Sequence, residues 1–431
     1  MAHYNPPANE EEFKINFAPF NPPMTDTQAY QESARCLFCH DAPCITACPT
    51  AINIPLFIRQ IQSNLPTEAG KTIFSSNWLG ASCGSVCPTE VLCEGACVYT
   101  QQDMPAVQIG RLQEFAARKT IESGTILWKP NPPTHKKVAV IGAGPAGLAC
   151  ALELAYLGHE VTLIEGKDKL SGLLIFGTAP YKITNEAVEA EINWLLKQLP
   201  ITIKTNTYIK SEEEIQEVLN HNDAVFLGIG LGGTNKLNIP GENIPHVLGA
   251  VEMIESLRRY QHHFILEGNV VVIGGGNTAM DAASEASRLG AKRVVLAYRK
   301  DKSEMSAYDF EYQHTQNAGV EMIFNVTPVQ ILGEEQVVGV EFVHQDKSRI
   351  IIQCDYVLKA NGQRKQIEWL RQINGLTLDD SGKVITNDIM QTGNPKVFAG
   401  GDTRNGGKEV VFAVAEGQQA AHGIHQFLLK S

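Results

Sequence analysis

The sequence predicts an α/β protein in which an α-helical, cysteine-rich N-terminal domain precedes two Rossmann-like domains, the second inserted in the first. Three observations support this prediction: eight of the ten cysteines lie between residues 36 and 97, and two glycine-rich loops, at Gly142 and Gly274, each follow a short apolar strand and open a helix. A chain of 431 residues has room for about three domains. We place the cysteine-rich domain at residues 1–130, the two parts of the first Rossmann-like domain at 131–240 and 363–431, and the second Rossmann-like domain at 241–362.

The composition is that of an acidic globular protein, with 43% hydrophobic residues, 19% charged residues and a formal net charge of -11. Such a chain rarely supplies the basic face that nucleic-acid binding needs. The sequence has no run of about 18 apolar residues that would span a membrane, and no basic-then-apolar export signal at its N-terminus. We therefore expect a cytoplasmic protein with no nucleic-acid or membrane partner, whose cysteines serve as metal ligands more often than as disulfides.

The clustered cysteines form two regularly spaced blocks. They are Cys36-x2-Cys39-x4-Cys44-x3-Cys48-Pro49 and Cys83-x3-Cys87-Pro88-x4-Cys93-x3-Cys97. Iron–sulfur clusters, structural zinc and disulfides are all open interpretations, and the spacing favours clusters because the first block is a stretched form of the ferredoxin run. Helices are predicted over residues 55–61 and 109–120, and the first 27 residues, rich in Pro and Asn, are expected to form an extended arm.

The first glycine-rich loop follows a Pro-rich boundary at residues 128–135 and an apolar strand at 137–141. In this loop Gly142 permits a tight turn, Gly144 lets the backbone approach a pyrophosphate, and Gly147 lets helix and strand pack closely. A second strand, at 161–164, ends in Glu165, whose carboxylate can accept hydrogen bonds from ribose hydroxyls. These features predict a site for an unphosphorylated adenosine dinucleotide such as FAD or NAD.

The second glycine-rich loop has the same surroundings, a strand at 269–273 and a helix after it, and two such units in one chain suit hydride transfer from a nicotinamide to a flavin. Its second strand carries cationic residues and no terminal carboxylate, which favours the 2′-phosphate of NADPH, although Arg299 alone is also compatible with a solvated charge at a strand end. NADH and NADPH both remain open. The candidate residues for this nucleotide are Gly274, Gly276, Asn277, Thr278, Arg293 and Arg299.

The cysteine-rich segment resembles the N-terminal region of dihydropyrimidine dehydrogenases, above all the iron–sulfur/FAD subunit of the bacterial NAD-dependent type (PreT type). The resemblance lies in residues 35–50, in residues 77–93 and in the stretch around Gln113. It implies two 4Fe–4S clusters with interleaved ligands and gives Cys83 no ligand role. The implied ligands are Cys36, Cys39, Cys44 and Cys97 for one cluster, and Cys48, Cys87, Cys93 and Gln113 for the other. Without the resemblance, Gln113 would be interpreted as a solvated helix residue.

Two further stretches resemble the flavin signatures of flavoproteins that contain two dinucleotide folds. Gly172 and Leu173 belong to a stretch that lies along FAD in those proteins, and here Ser171 replaces a glycine, which would narrow the approach to the flavin. Gly401 and Asp402 end a strand at 395–402, and in those proteins the Asp contacts the ribityl chain. The resemblance therefore implies that FAD is held by both parts of the first Rossmann-like domain.

Together these features predict an oxidoreductase that passes hydride from NADH or NADPH to FAD and then single electrons to two 4Fe–4S clusters. The chain has no room for a pyrimidine-reducing barrel, so the resemblance implies a separate FMN-containing partner subunit that interconverts uracil or thymine and their 5,6-dihydro forms. Two alternatives remain. The layout and residues 298–310 also resemble the small subunit of glutamate synthase, and a redox-sensing scaffold without turnover would contain similar cysteine blocks.

Overall fold

The computed structural model describes residues 4–430, in which the regular elements before residue 130 are all helical and strands alternate with helices after it. The described residues divide into two units. Unit 1 consists of residues 4–20, 175–181 and 232–364, and unit 2 consists of residues 21–174, 182–231 and 365–430. Unit 2 thus contains the cysteine-rich segment together with the first glycine-rich loop, and unit 1 contains the second loop.

The helices are, in chain order, α1 (Glu10–Asn16), α2 (Asp26–Ser33), α3 (Pro43–Ala47), α4 (Ile54–Gln62), α5 (Pro66–Phe74), α6 (Gly80–Val86), α7 (Ile109–Glu122), α8 (Pro145–Tyr156), α9 (Leu173–Phe176), α10 (Asn185–Leu196), α11 (Glu212–His221), α12 (Ala250–Tyr260), α13 (Asn277–Arg288), α14 (Asp309–Asn317), α15 (Ile367–Leu370), α16 (Asp402–Asn405) and α17 (Val410–Lys430). Short 3-10 turns occur at Thr89–Val91, Thr100–Gln102, Gln261–His263 and Lys302–Glu304. In the described part of the chain, no helix is long and apolar enough to cross a membrane.

The strands are β1 (Lys137–Ile141), β2 (Glu160–Ile164), β3 (Ile201–Lys204), β4 (Ala224–Leu227), β5 (Val247–Gly249), β6 (Asn269–Gly274), β7 (Arg293–Ala297), β8 (Glu321–Ile323), β9 (Val326–Gly333), β10 (Val337–His344), β11 (Arg349–Gln353), β12 (Tyr356–Ala360) and β13 (Val397–Ala399). Both glycine-rich loops follow the predicted strands directly, at the ends of β1 and β6.

The helices α2 to α5 and α7 of unit 2 share one apolar core. It forms because α4 and α7 carry apolar side chains at helical spacing, Ile54, Phe57, Ile58 and Ile61 on α4 and Ile109, Leu112, Phe115 and Ala116 on α7. Helices α6 and α7 approach closely, since a Cβ atom on Gly84 would lie 2.6 Å from the backbone nitrogen of Glu114. Helix α6, which contains Cys83, therefore stands beside α7.

The sheet of unit 2 has the strand order β13-β4-β1-β2-β3, with every pair parallel. Its central strands are continuous apolar runs because both faces of a parallel sheet are covered. Helix α17 packs along α8, and a Cβ atom on Gly417 would lie 2.2 Å from the carbonyl oxygen of Ala146. The C-terminal segment thus completes the sheet that the first glycine-rich loop begins.

Unit 1 contains a second parallel sheet with the order β5-β12-β6-β7-β8 and a separate antiparallel sheet with the order β11-β10-β9. The antiparallel strands contribute Val340 and Phe342 to a core that also contains Val271 and Val357 of the parallel sheet. In a parallel sheet, ligands bind beyond the carboxyl ends of the strands. The loop after β6 lies at that edge.

The predicted extended arm is wrong for residues 10–16, which form α1. The side chain of Asn9 accepts a hydrogen bond from the Glu12 backbone nitrogen at 2.9 Å and caps the helix. Phe13 and Phe17 are buried in the core of unit 1. Tertiary packing of these two rings, and not local propensity, stabilises so short a helix.

Candidate cofactor sites

The first glycine-rich loop is closed at two positions and open at one. Gly142 has a φ of +94°, and a Cβ atom there would lie 2.4 Å from the Gly228 carbonyl oxygen; a Cβ atom on Gly147 would lie 1.8 Å from the Gly142 carbonyl oxygen. A Cβ atom on Gly144 would meet nothing closer than that Gly228 oxygen, at 4.0 Å. No side chain caps α8, which begins here, so its first N–H groups and helix dipole are available to a phosphate. The loop fits the pyrophosphate of a dinucleotide.

Glu165 stands beside this loop at the end of β2. Its Oε2 accepts a hydrogen bond from the Ala143 backbone nitrogen at 2.8 Å, and its Oε1 accepts one from the Lys167 backbone nitrogen at 2.8 Å. The carboxylate is therefore fixed at the position where an adenosine ribose lies in such folds.

The segment after β2 turns back onto the loop. The Ser171 backbone nitrogen donates to the Ala143 carbonyl oxygen at 2.7 Å, and a Cβ atom on Gly172 would lie 3.0 Å from the Gly144 Cα atom. Ser171 has a φ of +80°, which explains why a glycine suits this position. Its side chain is buried and its hydroxyl donates to the Leu170 carbonyl oxygen. Leu173 begins α9 directly after this turn.

Gly401 and Asp402 also reach the start of α8. Gly401 has a φ of +68°, and a Cβ atom there would lie 2.8 Å from the Ala146 Cβ atom. Its backbone nitrogen donates to the Glu416 Oε2 atom at 2.7 Å. Burial, with a smaller contribution from the Glu416 charge, raises the pKa of Asp402 to about 6. The two predicted flavin segments and the first loop thus surround one place in unit 2.

The second glycine-rich loop is built in the same way in unit 1. A Cβ atom on Gly274 would lie 2.4 Å from the Ala360 carbonyl oxygen, and one on Gly276 would meet nothing closer than the Ser306 hydroxyl at 3.4 Å. Asn277 and Thr278 form the first turn of α13, and the Asn277 Oδ1 atom accepts a hydrogen bond from the Tyr308 backbone nitrogen at 3.0 Å. This loop also leaves an open cradle at its second glycine.

Arg299 and Arg293, both predicted to bind the nicotinamide nucleotide, lie at opposite ends of β7. Strands β6 and β7 are parallel and pair Asn269 with Arg293, so Arg293 stands at the edge away from the loop. It forms a two-pronged ion pair with Glu321, at 2.9 and 2.6 Å. The prediction for Arg293 is therefore wrong. Arg299 follows the other end of β7, is exposed, and forms no ion pair within residues 4–430.

Four cysteines predicted to hold one cluster line a single cavity with apolar neighbours. They are Cys36, Cys39, Cys44 and Cys97, and the apolar lining includes Ile54, Ile58 and Ile109. Burial, together with the charges of Cys36 and Cys97, raises the pKa of Cys44 to about 11. The raised pKa keeps Cys44 a neutral thiol, and four thiolates at this place would need positive charge to offset their own, which the iron of a bound iron–sulfur cluster would supply.

Two of the other predicted ligands, Cys48 and Cys93, lie close enough to Cys87 to affect its ionisation. A hydrogen bond to Cys83, burial, and the charges of Cys83, Cys93 and Cys48 raise the pKa of Cys87 well above its usual range. The structure thus places Cys83 beside this set. Gln113 is buried, with an exposed fraction of 7%, and its Nε2 atom donates to the Gly80 carbonyl oxygen at 2.7 Å, so it is not a solvated residue. Within the described chain, no group of three or more His, Cys, Asp or Glu side chains is arranged to hold a single metal ion.

Glu191, which sequence reasoning missed, contacts the helix that leads to Cys87. It lies on α10 with an exposed fraction of 0% and accepts hydrogen bonds from the backbone nitrogens of Ala81 and Ser82, at 2.7 and 3.0 Å, and from the Ser82 hydroxyl. Burial raises its pKa to about 7, against these hydrogen bonds, which lower it. The signal was available: Glu191 stands on the face of α10 that carries Val188 and Leu195.

Two parallel sheets with open glycine cradles, and cysteine sets among packed helices, define a two-dinucleotide-fold flavoprotein with an iron–sulfur domain. Residues 136–417 match the model of the pyridine nucleotide-disulphide oxidoreductase family, and residues 13–125 match the model of dihydropyrimidine dehydrogenase domain II, 4Fe-4S cluster. The chain belongs to the pyridine nucleotide-disulphide oxidoreductase family. Its cofactors are FAD, NADH or NADPH, and 4Fe–4S, as predicted.

Relatives of similar identity have different names. The chain is 33% identical over 452 residues to the glutamate synthase (NADPH) small chain of Escherichia coli (strain K12), with 96% of this chain and 94% of that protein covered. It is 33% identical over 408 residues to the NAD-dependent dihydropyrimidine dehydrogenase subunit PreT of the same organism, with 94% and 96% covered. The predicted resemblance is confirmed, and the chain is an NAD(P)H-dependent flavin and iron–sulfur oxidoreductase.

Solved structures with the same fold are more distant. FprA of Mycobacterium tuberculosis in complex with NADPH matches with a TM-score of 0.58 at 17% identity, over 69% of this chain and 85% of that chain. Thioredoxin reductase of Lactococcus lactis matches with a TM-score of 0.57 at 21% identity, over 69% of this chain and 100% of that chain. These likenesses confirm the α/β fold of the two nucleotide-binding regions.

Proposed function

We propose that this chain is the electron-input subunit of a dihydropyrimidine dehydrogenase. In this role it delivers electrons from NADH or NADPH to a separate FMN-containing subunit, which interconverts uracil or thymine and their 5,6-dihydro forms. The relative named PreT and the match of residues 13–125 support the proposal. The glutamate synthase relative has the same 33% identity to this chain, so a separate observation is needed to choose between the dihydropyrimidine dehydrogenase role and the glutamate synthase role.

That observation is the hydrogen bond of Gln113. Its amide Nε2 atom donates to the Gly80 carbonyl oxygen at 2.7 Å in a buried place between α6 and α7. A glutamate has no such donor, and its carboxylate would stand against the carbonyl oxygen, at a cost of about 1–3 kcal/mol for the unpaired buried group. By the resemblance, glutamate synthase small subunits typically have Glu at the position of Gln113 and Pro-Phe-Cys within the first cysteine block, where this chain has Ala42, Pro43 and Cys44. The buried pocket therefore favours the dihydropyrimidine dehydrogenase role.

The proposed division of labour follows from the cradles and thiol sets. FAD would be held by Gly142, Gly144, Gly147, Glu165, Gly172, Leu173, Gly401 and Asp402, and the nicotinamide nucleotide by Gly274, Gly276, Asn277, Thr278 and Arg299. When bound, FAD would supply the ability to accept a hydride and to release its two electrons one at a time, and 4Fe–4S clusters would carry the single electrons. The chain itself binds the phosphates with N–H groups and positions the thiolates.

We also propose that the nicotinamide domain is inserted in the FAD domain and that the protein acts in the cytoplasm. The insertion is supported by the chain path, which leaves unit 2 after residue 231 and returns to it at residue 365. The predicted boundaries at residues 240 and 363 lie near these points.

Purification of the chain with and without its partner tests the function. The isolated chain is expected to reduce ferricyanide with NADH or NADPH and to leave uracil unchanged, and co-expression with an FMN-containing pyrimidine subunit is expected to add uracil reduction. Uracil turnover by the isolated chain would overturn the proposal of a separate partner. Co-purification with a glutaminase subunit in place of the pyrimidine subunit would overturn the dihydropyrimidine dehydrogenase role.

Metal analysis of two variants tests the proposed ligand sets, in which the parent protein holds about eight irons in two 4Fe–4S clusters. Cys83→Ser is expected to keep both clusters, and Gln113→Leu is expected to damage one. The reverse result would make Cys83 the fourth ligand beside Cys87, Cys93 and Cys48. A protein with two zinc ions and no acid-labile sulfide would overturn both sets.

A glutamate synthase small subunit is the second candidate. Residues 298–310 resemble that group, and the similarity to the glutamate synthase small chain, at 33% identity, extends over 96% of this chain. NADPH-dependent formation of glutamate after reconstitution with a glutaminase subunit would show that the chain is a glutamate synthase small subunit.

A further inference from the structure

Helix α6 is held at its N-terminal end by a carboxylate from another part of unit 2. Glu191 on α10 accepts hydrogen bonds from the backbone nitrogens of Ala81 and Ser82, at 2.7 and 3.0 Å, and from the Ser82 hydroxyl. These are N–H groups in the first turn of α6, which have no partner within the helix. No residue of α6 or its N-cap supplies a side-chain cap. Glu191, 110 residues further along the chain from Ala81, caps the helix in its place.

The other end of α6 carries thiols. Cys83 lies within the helix, and Cys87 forms its C-cap and donates its backbone N–H to the Cys83 carbonyl oxygen at 3.0 Å. A second tie precedes the helix, where the Trp78 indole nitrogen donates to the Glu153 Oε2 atom on α8 at 2.7 Å. Two buried carboxylates from the flavin-binding part of unit 2 thus fix the segment that presents Cys87.

We propose that Glu191 is a positioning residue for the iron–sulfur cluster that Cys87 holds. It fixes the axis of α6 through the first-turn N–H groups, and its charge lies at the positive end of that helix dipole. The inference rests on the proposed function, specifically on Cys87 as a ligand. If Glu191 only filled space, its replacement would leave the midpoint potential and the EPR spectrum of the cluster unchanged. If its charge positions the ligand helix, its replacement would change them.

The variant Glu191→Gln removes the charge and keeps the shape and one accepting oxygen. The matched control is Glu189→Gln, two positions away on α10, because Glu189 is half-exposed and its carboxylate pairs with Lys169 at 2.6 Å. The holoprotein of each variant is studied at pH 8, above the raised pKa of Glu191. Potentiometric titration followed by EPR gives the midpoint potential of each cluster, and stopped-flow absorbance gives the rate of flavin reduction by NADH or NADPH.

In Glu191→Gln, one cluster is expected to shift to a more positive potential because a nearby negative charge disfavours the added electron. The other cluster and the flavin reduction rate are expected to stay within twofold of the parent protein, and Glu189→Gln is expected to match the parent throughout. Identical potentials and EPR spectra in Glu191→Gln and Glu189→Gln would overturn the proposal.

A second variant covers the case in which Glu191→Gln does not fold. Ser82→Ala removes one of the hydrogen bonds to the carboxylate and keeps its charge, and it is expected to change the EPR line shape of the same cluster. An unchanged spectrum in Ser82→Ala would overturn the positioning role. The ligand set is tested separately, since an intact iron content in Cys87→Ser would contradict the proposed function and leave the capping contact of Glu191 in place.

Discussion

Gly144 offers a test that separates folding from cofactor binding, because its α-carbon faces open space. In Gly144→Ala the new methyl group would meet no protein atom closer than the Gly228 carbonyl oxygen at 4.0 Å. The backbone angles at this position, φ -68° and ψ 180°, are open to alanine. The substitution also reduces the freedom of the unfolded chain, which stabilises a compatible site by about 0.4–1 kcal/mol. Gly144 is the N-cap of α8, a position where alanine is less favourable than glycine, and this offsets the gain. The flavin-free protein is therefore expected to be about as stable as the parent.

The same methyl group would occupy the space in which a pyrophosphate approaches the backbone. Overpacking of this kind costs about 1–3 kcal/mol, so the dissociation constant of FAD is expected to rise about 5- to 150-fold. Titration of the flavin-free protein with FAD, followed by flavin fluorescence, measures the change, and thermal unfolding without FAD measures stability.

The matched control is Gly276→Ala in the second loop, where the nearest protein atom is the Ser306 hydroxyl at 3.4 Å. This variant is expected to bind FAD normally and to raise the Michaelis constant for the nicotinamide nucleotide. Normal FAD affinity in Gly144→Ala would refute the placement of the pyrophosphate at the first loop. A loss of stability in that variant would refute the argument from open space.

Four further substitutions have defined outcomes. Ser171→Gly is expected to raise the unfolding free energy in urea by about 1 kcal/mol, because Ser171 holds a φ of +80° that glycine adopts without strain. Burial and the neighbouring His425 lower the pKa of His159 to about 4, so the protein loses stability as the pH falls below about 6.5, where the unfolded histidine gains a proton and the folded one does not. The loss amounts to about 2 kcal/mol between pH 7 and 5, and His159→Asn is expected to abolish it in urea titrations at the two pH values. If NADPH is the substrate, Arg299→Asp is expected to lower the ratio of kcat/KM for NADPH to kcat/KM for NADH at least about tenfold, because a charge-assisted hydrogen bond is lost. The control variant Arg293→Asp is expected to leave that ratio unchanged.

The nucleotide-binding regions were predictable because their signals are local. A run of apolar residues, three glycines at fixed spacing and a helix define the turn around Gly142. Gly142 and Gly147 each have a separate steric reason, and Gly144 faces open space. The strand and the helix on either side of the loop at Gly274 were predictable for the same reason. Even the departure at Ser171 was visible, although only the backbone angle shows that this serine is in a left-handed conformation.

The failures concern properties that depend on direction or on distant contacts. Arg293 and Arg299 belong to one cationic stretch, and only the parallel pairing of β6 and β7 shows that Arg293 is at the wrong edge, beside Glu321. The burial of Phe13, which makes α1 a helix, needs a core formed by residues far along the chain. Local propensity cannot supply either fact.

The division of the chain into two units fits the difference between electron transfer among resident cofactors and hydride transfer from a nucleotide that binds and leaves. Unit 2 contains both the cysteine-rich helices and the sheet that carries the first glycine-rich loop. Helix α8 begins at the Gly144 cradle and, further along, accepts the Trp78 hydrogen bond on Glu153, next to α6. One helix therefore supports both the phosphate cradle and the segment that presents Cys87. Electron transfer between resident cofactors depends steeply on their separation, so a single rigid support suits that step, whereas a nicotinamide nucleotide has to bind and leave in each turnover.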